Sequence, residues 1–117
     1  MYEFETKFEI IGTLIMIRHV VLFKLKSGVD AATVEHVFTA LKDLAHKIPG
    51  ITSISAGRDN SPEGLQRGHT HGFTVDFINS AARDAYLPHP AHQAVGGMIV
   101  GIAEGGVDGI CVVDWDA

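Results

Sequence analysis

The chain has 117 residues, 46% of them hydrophobic and 20% charged, and a formal net charge of −5 at pH 7. Length and composition describe one ordinary globular domain with enough apolar content for a core, and an acidic chain without a basic run excludes nucleic acid as an expected partner. The single cysteine, Cys111, rules out an internal disulfide and suits a reducing, cytoplasmic setting; lying in an apolar run, it is expected to be buried and inert.

Residues 1–15 read as an N-terminal extension. Met1 to Phe8 has no basic leader segment, and the apolar run Ile10 to Ile17 is short and broken by Gly12 and Thr13. Neither a signal peptide nor a membrane-spanning helix is expected there. The segment is either an extra edge strand or dispensable, because Met16 stands directly before a strong strand.

That strand runs from Met16 to Lys26. His19, Val21, Phe23 and Leu25 share one face, while Val20 and Leu22 share the other with Arg18 and Lys24. Apolar side chains on both faces imply that both faces are covered. Asp30 is a good N-cap for the next helix, whose face is Val34, Val37, Phe38, Leu41, Leu44, Ala45 and Ile48. His36 and His46 belong to its solvated side, and Pro49-Gly50 stops it. Ile51 to Gly57 is a shorter strand in which Ile51 is poorly spaced for clean alternation. A polar loop over 58–68 leads to the strand Thr70 to Phe77, with His71, Phe73, Val75 and Phe77 on one face.

Asn79-Ser80 opens a short helix through Tyr86. The following stretch, Tyr86-Leu87-Pro88-His89-Pro90-Ala91-His92, packs a phenol, two imidazoles and two prolines into one corner. Each proline disfavours the α region for the residue before it, so Leu87 and His89 are expected to be extended. His89 is then the N-cap of a helix with Pro90 at its first position. His92 falls in the first turn, where exposed N–H dipoles disfavour imidazolium and favour a neutral, proton-accepting ring. Gly96, Gly97 and Gly101 lie inside this helix at a cost of about 1 kcal/mol each against alanine, so it should be kinked or dependent on packing. Gly105-Gly106 ends it, and Gly109 to Trp115 is the last strand.

The order strand, helix, strand, strand, helices, strand is that of an α+β, ferredoxin-like split βαβ fold: a four-stranded antiparallel sheet with helices on one face. The other face still carries Val20 and Leu22, and pairing two such sheets across a two-fold axis is the common way to cover it. A homodimer is therefore expected.

Four blocks in order, "IRHVVLFKLK", "GHTHGFTVDF", "YLPHPAH" and "VVDWD", resemble the stress-responsive A/B barrel (Dabb) family over about Met16 to Asp116. The resemblance implies one domain over 16–117 whose dimer closes two sheets into an α+β barrel. One family enzyme, the plant olivetolic acid cyclase, closes a polyketide by aldol condensation. By similarity to its His-Pro-Ala-His block, the catalytic pair here is Tyr86, to polarise a carbonyl, and His92, to remove an α-proton. His19 and His71 match two further pocket histidines of that enzyme. Phe23 and Phe73, on the same strand faces, and His89 at the corner complete the expected substrate-binding set. The glycine-rich "AVGGMIVGIAEGG" departs from the bulkier sequence of that enzyme, which bears on pocket size and substrate.

Three competing chemistries are weaker. His69, His71, His89 and His92 offer four imidazoles to a divalent metal, but a tight corner and a strand pair do not define a ligand set. Cys111 has no neighbour in sequence that would activate it as a nucleophile, and Gly96-Gly97 lacks the strand and lysine of a phosphate loop. No metal or cofactor is therefore expected. Two functions remain: a small-molecule protein doing proton-transfer chemistry on a carbonyl compound in a pocket between sheet and helices, and a non-catalytic dimeric barrel serving stress response or ligand binding.

Overall fold

The computed structural model describes residues 15–117. The expected extension therefore lies outside the described residues except for Ile15. The elements are β1 (Ile17–Phe23), α1 (Ala31–Asp43), β2 (Ile51–Arg58), β3 (His71–Phe77), α2 (Ser80–Tyr86), α3 (Pro90–Ile102) and β4 (Ile110–Asp116), with short 3₁₀ turns at Leu44–His46 and Gly106–Gly109. The strands form one sheet in the order β2-β3-β1-β4. Every pairing is antiparallel. This is the ferredoxin-like split βαβ arrangement, with first and last strands adjacent.

Alternation along β1 divides the sheet. Ile17, His19, Val21 and Phe23 are buried under the helices, together with Phe73, Val75 and Phe77 of β3. Val34, Val37, Phe38, Leu41 and Leu44 close the core from α1 and its 3₁₀ turn, and Val95, Ile99 and Ile102 close it from α3. In β2 the register shifts between Ile51 and Ser53; this bulge is the physical form of the poor spacing at Ile51, and it restores Ile54 and Ala56 to the helix side. The opposite face is bare of helices. There Arg18 donates to Asp76 through Nε at 2.9 Å and Nη2 at 3.1 Å, and Ser53 adds a bond to Asp76 at 3.2 Å. Beside this polar half, Leu22, Val113 and Trp115 stand 44%, 54% and 48% exposed.

Local signals set the helix starts. The Asp30 carboxylate accepts from Thr33 N at 2.8 Å and the Asn79 amide oxygen from Ala82 N at 2.9 Å, each satisfying a donor the first turn leaves unpaired. His89 caps α3 through Nδ1, which accepts from Ala91 N at 3.0 Å, with Pro90 in the first position.

Several expectations are corrected. Leu87 is not extended: its φ of −57° and ψ of −46° are right-handed helical. Its N–H still closes the α2 turn on Arg83 O, so the hydrogen-bonded turn that seats Tyr86 overrides the pre-proline preference. The α1 helix ends at Asp43 and not at Pro49, because the chain tightens into a 3₁₀ turn that leaves Ala45 exposed while keeping Leu44 and Ile48 inside. Cys111 is exposed because its place on β4, opposite Leu22, puts it on the helix-free face. Strand β3 begins at His71, which leaves His69 in the preceding turn, its Nδ1 3.2 Å from Gln66 O. Despite three internal glycines, α3 is one helix of 13 residues, with the packing of Val95, Ile99 and Ile102 offsetting the poor intrinsic propensity.

Candidate functional site

A cavity of about 240 Å³ opens between β1, β3 and β4 on one side and α3 on the other; its wall includes His19, Phe73, His92, Gly96, Ile99 and Val112. Two wider depressions elsewhere, one over α1 around His36 and His46 and one around Arg58, Arg67 and Cys111, hold none of the expected site residues.

The α2–α3 corner brings His92 back over the preceding turn. Its Nδ1 lies 2.9 Å from the Leu87 carbonyl oxygen. A carbonyl only accepts, so Nδ1 carries the proton and donates. In the neutral ring Nε2 then keeps a free lone pair. Burial lowers the pKa of His92 below its ordinary value, against the opposing effect of the Leu87 bond, and nearby His19 and His89 push the same way as burial. His92 is thus a neutral imidazole at neutral pH, with its acceptor nitrogen beside the cavity residue Gly96.

Tyr86 packs against this ring, with centroids 4.1 Å apart, and reaches His19 at 6.0 Å and Phe77 at 4.9 Å. It is 1% exposed. Burial drives its phenol pKa far up, so the hydroxyl stays protonated and can only act as a hydrogen-bond donor or neutral acceptor. Tyr86 does not belong to the cavity wall; it touches the cavity through His92 and His19.

His19 is held from the far edge of the sheet. Its Nδ1–H donates to Asp114 Oδ1 at 2.8 Å, and Asp114 Oδ2 accepts from Arg83 Nη1 at 3.0 Å. Arg83 Nε in turn donates to Asp84 Oδ1 at 2.8 Å. The pairing of β1 with β4 sets His19 directly across from Asp114. Sequence reasoning singled out neither Asp114 nor Arg83. The available signal was the alternation of β4, which puts the first Asp of "VVDWD" on the same face as Val112.

The other expected residues lie apart. His71 is paired with Phe23, four positions along β1 from His19, which is about 13 Å at the strand rise. It stacks on Phe23 at 5.7 Å, shares a 2.8 Å hydrogen bond with Thr70 Oγ1, and has its pKa lowered by burial and then by Arg58. Phe23 is wholly buried core. His89 spends Nδ1 on the α3 cap. The structure therefore gathers Tyr86, His92, His19 and Phe73, places His71 and Phe23 farther along the sheet, and commits the nearby His89 to the helix cap. Among the described residues no group of three or more His, Cys, Asp or Glu side chains is placed to hold a metal ion.

A chemical description follows from the geometry: an apolar slot with one neutral imidazole base at its wall, a second imidazole oriented by a carboxylate, and a protonated phenol behind both. Comparison with known proteins agrees with the fold. The chain is similar to the stress-response A/B barrel domain-containing protein HS1 of Arabidopsis thaliana, 29% identical over 99 residues, covering 85% of this chain and 87% of that protein. A dimeric ferredoxin-like protein of unknown function from Jannaschia sp. superposes with a TM-score of 0.80 at 33% identity, covering 87% of this chain and 99% of the other. A hydroxynitrile lyase from Passiflora edulis has the same fold, with a TM-score of 0.79 at 19% identity and coverage of 89% and 94%. The family model for the stress responsive A/B barrel domain matches residues 17–117, and the chain belongs to that family.

Proposed function

We propose that this protein binds a small, largely apolar carbonyl compound in the cavity between sheet and α3, and that His92 acts on it as a general base. The observation that carries this is the Nδ1–H bond of His92 to Leu87 O, which leaves Nε2 unprotonated beside open space. A base of lowered pKa is in its working form at neutral pH. Among the described residues, none of those lining the wall is Lys, Arg, Asp or Glu, which suits an uncharged ligand. A cavity of about 150 Å³ already accommodates benzene, so this one suits a molecule the size of a small aryl ketone. Removal of an α-proton, attack of the resulting enolate carbon on a second carbonyl of the ligand and return of the proton to that carbonyl's oxygen, as in a polyketide cyclase, is the reaction class that this pair of groups serves. The Passiflora protein named a lyase has this fold, and that likeness supports the fold alone.

Tyr86 backs His92 and offers a protonated hydroxyl beside the base. Its role by resemblance, donation to the ligand carbonyl, requires that hydroxyl to reach the cavity. Its near-complete burial favours the second reading, a non-catalytic, ligand-binding or stress-response barrel in which Tyr86 only fixes the corner. In both readings the protein is a homodimer joined through the helix-free sheet face, as the exposed Leu22, Val113 and Trp115 suggest. The exposed thiol of Cys111 fits a reducing cytoplasmic setting.

Titration of isotope-labelled protein with acetophenone, followed by NMR, tests the proposal. Shifts should concentrate at His92, Gly96, Ile99 and Val112, and Tyr86→Phe should weaken binding if the phenol meets the carbonyl. Shifts confined to other surfaces, or none at all, would reject the cavity as the ligand site. Binding unaltered by Tyr86→Phe would select the non-catalytic role for that residue.

A further inference from the structure

We propose that Gly96 sets the size limit of the ligand at the reactive end of this cavity, because its missing side chain is the space into which a ligand atom approaches His92 Nε2. The identity of the ligand rests on the reading above, whereas the role of Gly96 in holding the cavity open does not.

Glycine inside a helix is destabilising by roughly 1 kcal/mol relative to alanine, so its presence calls for a reason. One reason is a left-handed backbone, but Gly96 is not among the glycines with positive φ. Another is a close approach that a Cβ would block. At Gly96 a Cβ would meet only His92 Nε2, at 3.8 Å, which is ordinary contact. For comparison, a Cβ on Gly72 would lie 2.9 Å from the Val21 carbonyl oxygen and one on Gly109 would run into the Glu104 backbone; those two glycines are required by the fold, and Gly96 is not. What distinguishes Gly96 is its position on the cavity wall together with His92. Any larger side chain there would project into the volume next to the lone pair of Nε2.

Two neighbours supply internal controls. Gly97 and Gly101 lie in the same helix, a Cβ on either would meet nothing within 4 Å, and neither lines the cavity. Their replacement by alanine removes the same helix penalty without touching the slot. The chemical consequence is that the ligand's α-carbon can approach Nε2 where a side chain on residue 96 would stand in its way.

The test compares the full-length wild type with Gly96→Ala, Gly96→Leu, Gly97→Ala and Gly101→Ala. Xenon binding by NMR reports the empty cavity, acetophenone binding reports the ligand, and the melting temperature reports the fold. All three alanine variants should melt higher than the wild type. Xenon binding should persist in every alanine variant, while Gly96→Ala alone should lose about ten- to a hundred-fold in acetophenone affinity, the range for a misfit of one carbon in an apolar pocket. Gly96→Leu should take up neither probe. Gly96→Ala melting lower than the wild type would show that the fold itself requires glycine and would overturn the proposal. So would acetophenone binding to Gly96→Ala at wild-type strength, or a wild type that takes up no xenon. A wild type that binds xenon but not acetophenone would overturn the carbonyl reading alone; exclusion of xenon by Gly96→Leu would then still support the role of Gly96.

Discussion

Replacement of Asp114 by alanine should destabilise the protein out of proportion to its place near the chain end. Asp114 accepts from His19 Nδ1 at 2.8 Å and from Arg83 Nη1 at 3.0 Å. The side chain of His19 is 7% exposed and that of Arg83 is 25% exposed. The cost falls mainly on His19, whose N–H is left buried without an acceptor, a loss of roughly 1–3 kcal/mol. Arg83 keeps its bond to Asp84 and some access to water, so it adds little. A midpoint of about 2 kcal/mol corresponds to a fall of roughly 8 °C in Tm for a domain of this size. Scanning calorimetry at one fixed protomer concentration measures it, since the proposed dimerisation would make Tm concentration-dependent. Asp84→Ala is the control: its side chain is 66% exposed, and the change should stay within about 0.5 kcal/mol. If Asp114→Ala melts no lower than Asp84→Ala, the His19–Asp114 bond does not hold the site and the reasoning fails.

Two further outcomes follow from the same structure. Burial lowers the pKa of both His71 and His92 from 6.5. The unfolded chain therefore binds more protons than the folded one just below pH 6.5, so stability is complete above that value and declines as the pH falls through it. A thermal-stability profile that is flat from about pH 7.5 to 5.5 would contradict this. On the helix-free face, Trp115→Glu and Leu22→Glu each place a charge in the exposed apolar patch that the proposed dimer would cover, and should convert a sedimenting dimer to monomer. A wild type that is monomeric at micromolar concentration, or a dimer that survives both changes, would place the interface elsewhere.

The local features of this fold are readable in its sequence. Asp30, Asn79 and His89 cap helices because their side-chain acceptors reach the first turn, and the alternation of β1 puts His19 with Val21 and Phe23 under the helices. Long-range geometry is not readable in the same way. Strand period assigns His19 and His71 to one face but says nothing of their separation along it; register sets them four residues apart on β1. The Asp114 partner of His19 lies 95 residues away, joined only because the first and last strands pair. Cys111 sits in an apolar run yet faces outward, since an edge strand over an uncovered face has the same composition as a buried one. The corner is readable in part: its cap and proline are local, but Leu87 is right-handed helical, with its N–H closing the α2 turn on Arg83, and it is the Leu87 carbonyl that fixes the His92 tautomer.

The claim that His92 is a working base is tested most directly by deuterium exchange into the methyl group of acetophenone in D₂O, followed by proton NMR. The wild type should accelerate exchange over buffer, with a rate that rises as His92 loses its proton and levels off at neutral pH, where the ring is neutral. A positioned general base contributes about 10²- to 10⁴-fold, so His92→Ala should return the rate to that of buffer. Exchange by the wild type no faster than buffer, or exchange by His92→Ala as fast as the wild type, would contradict the account.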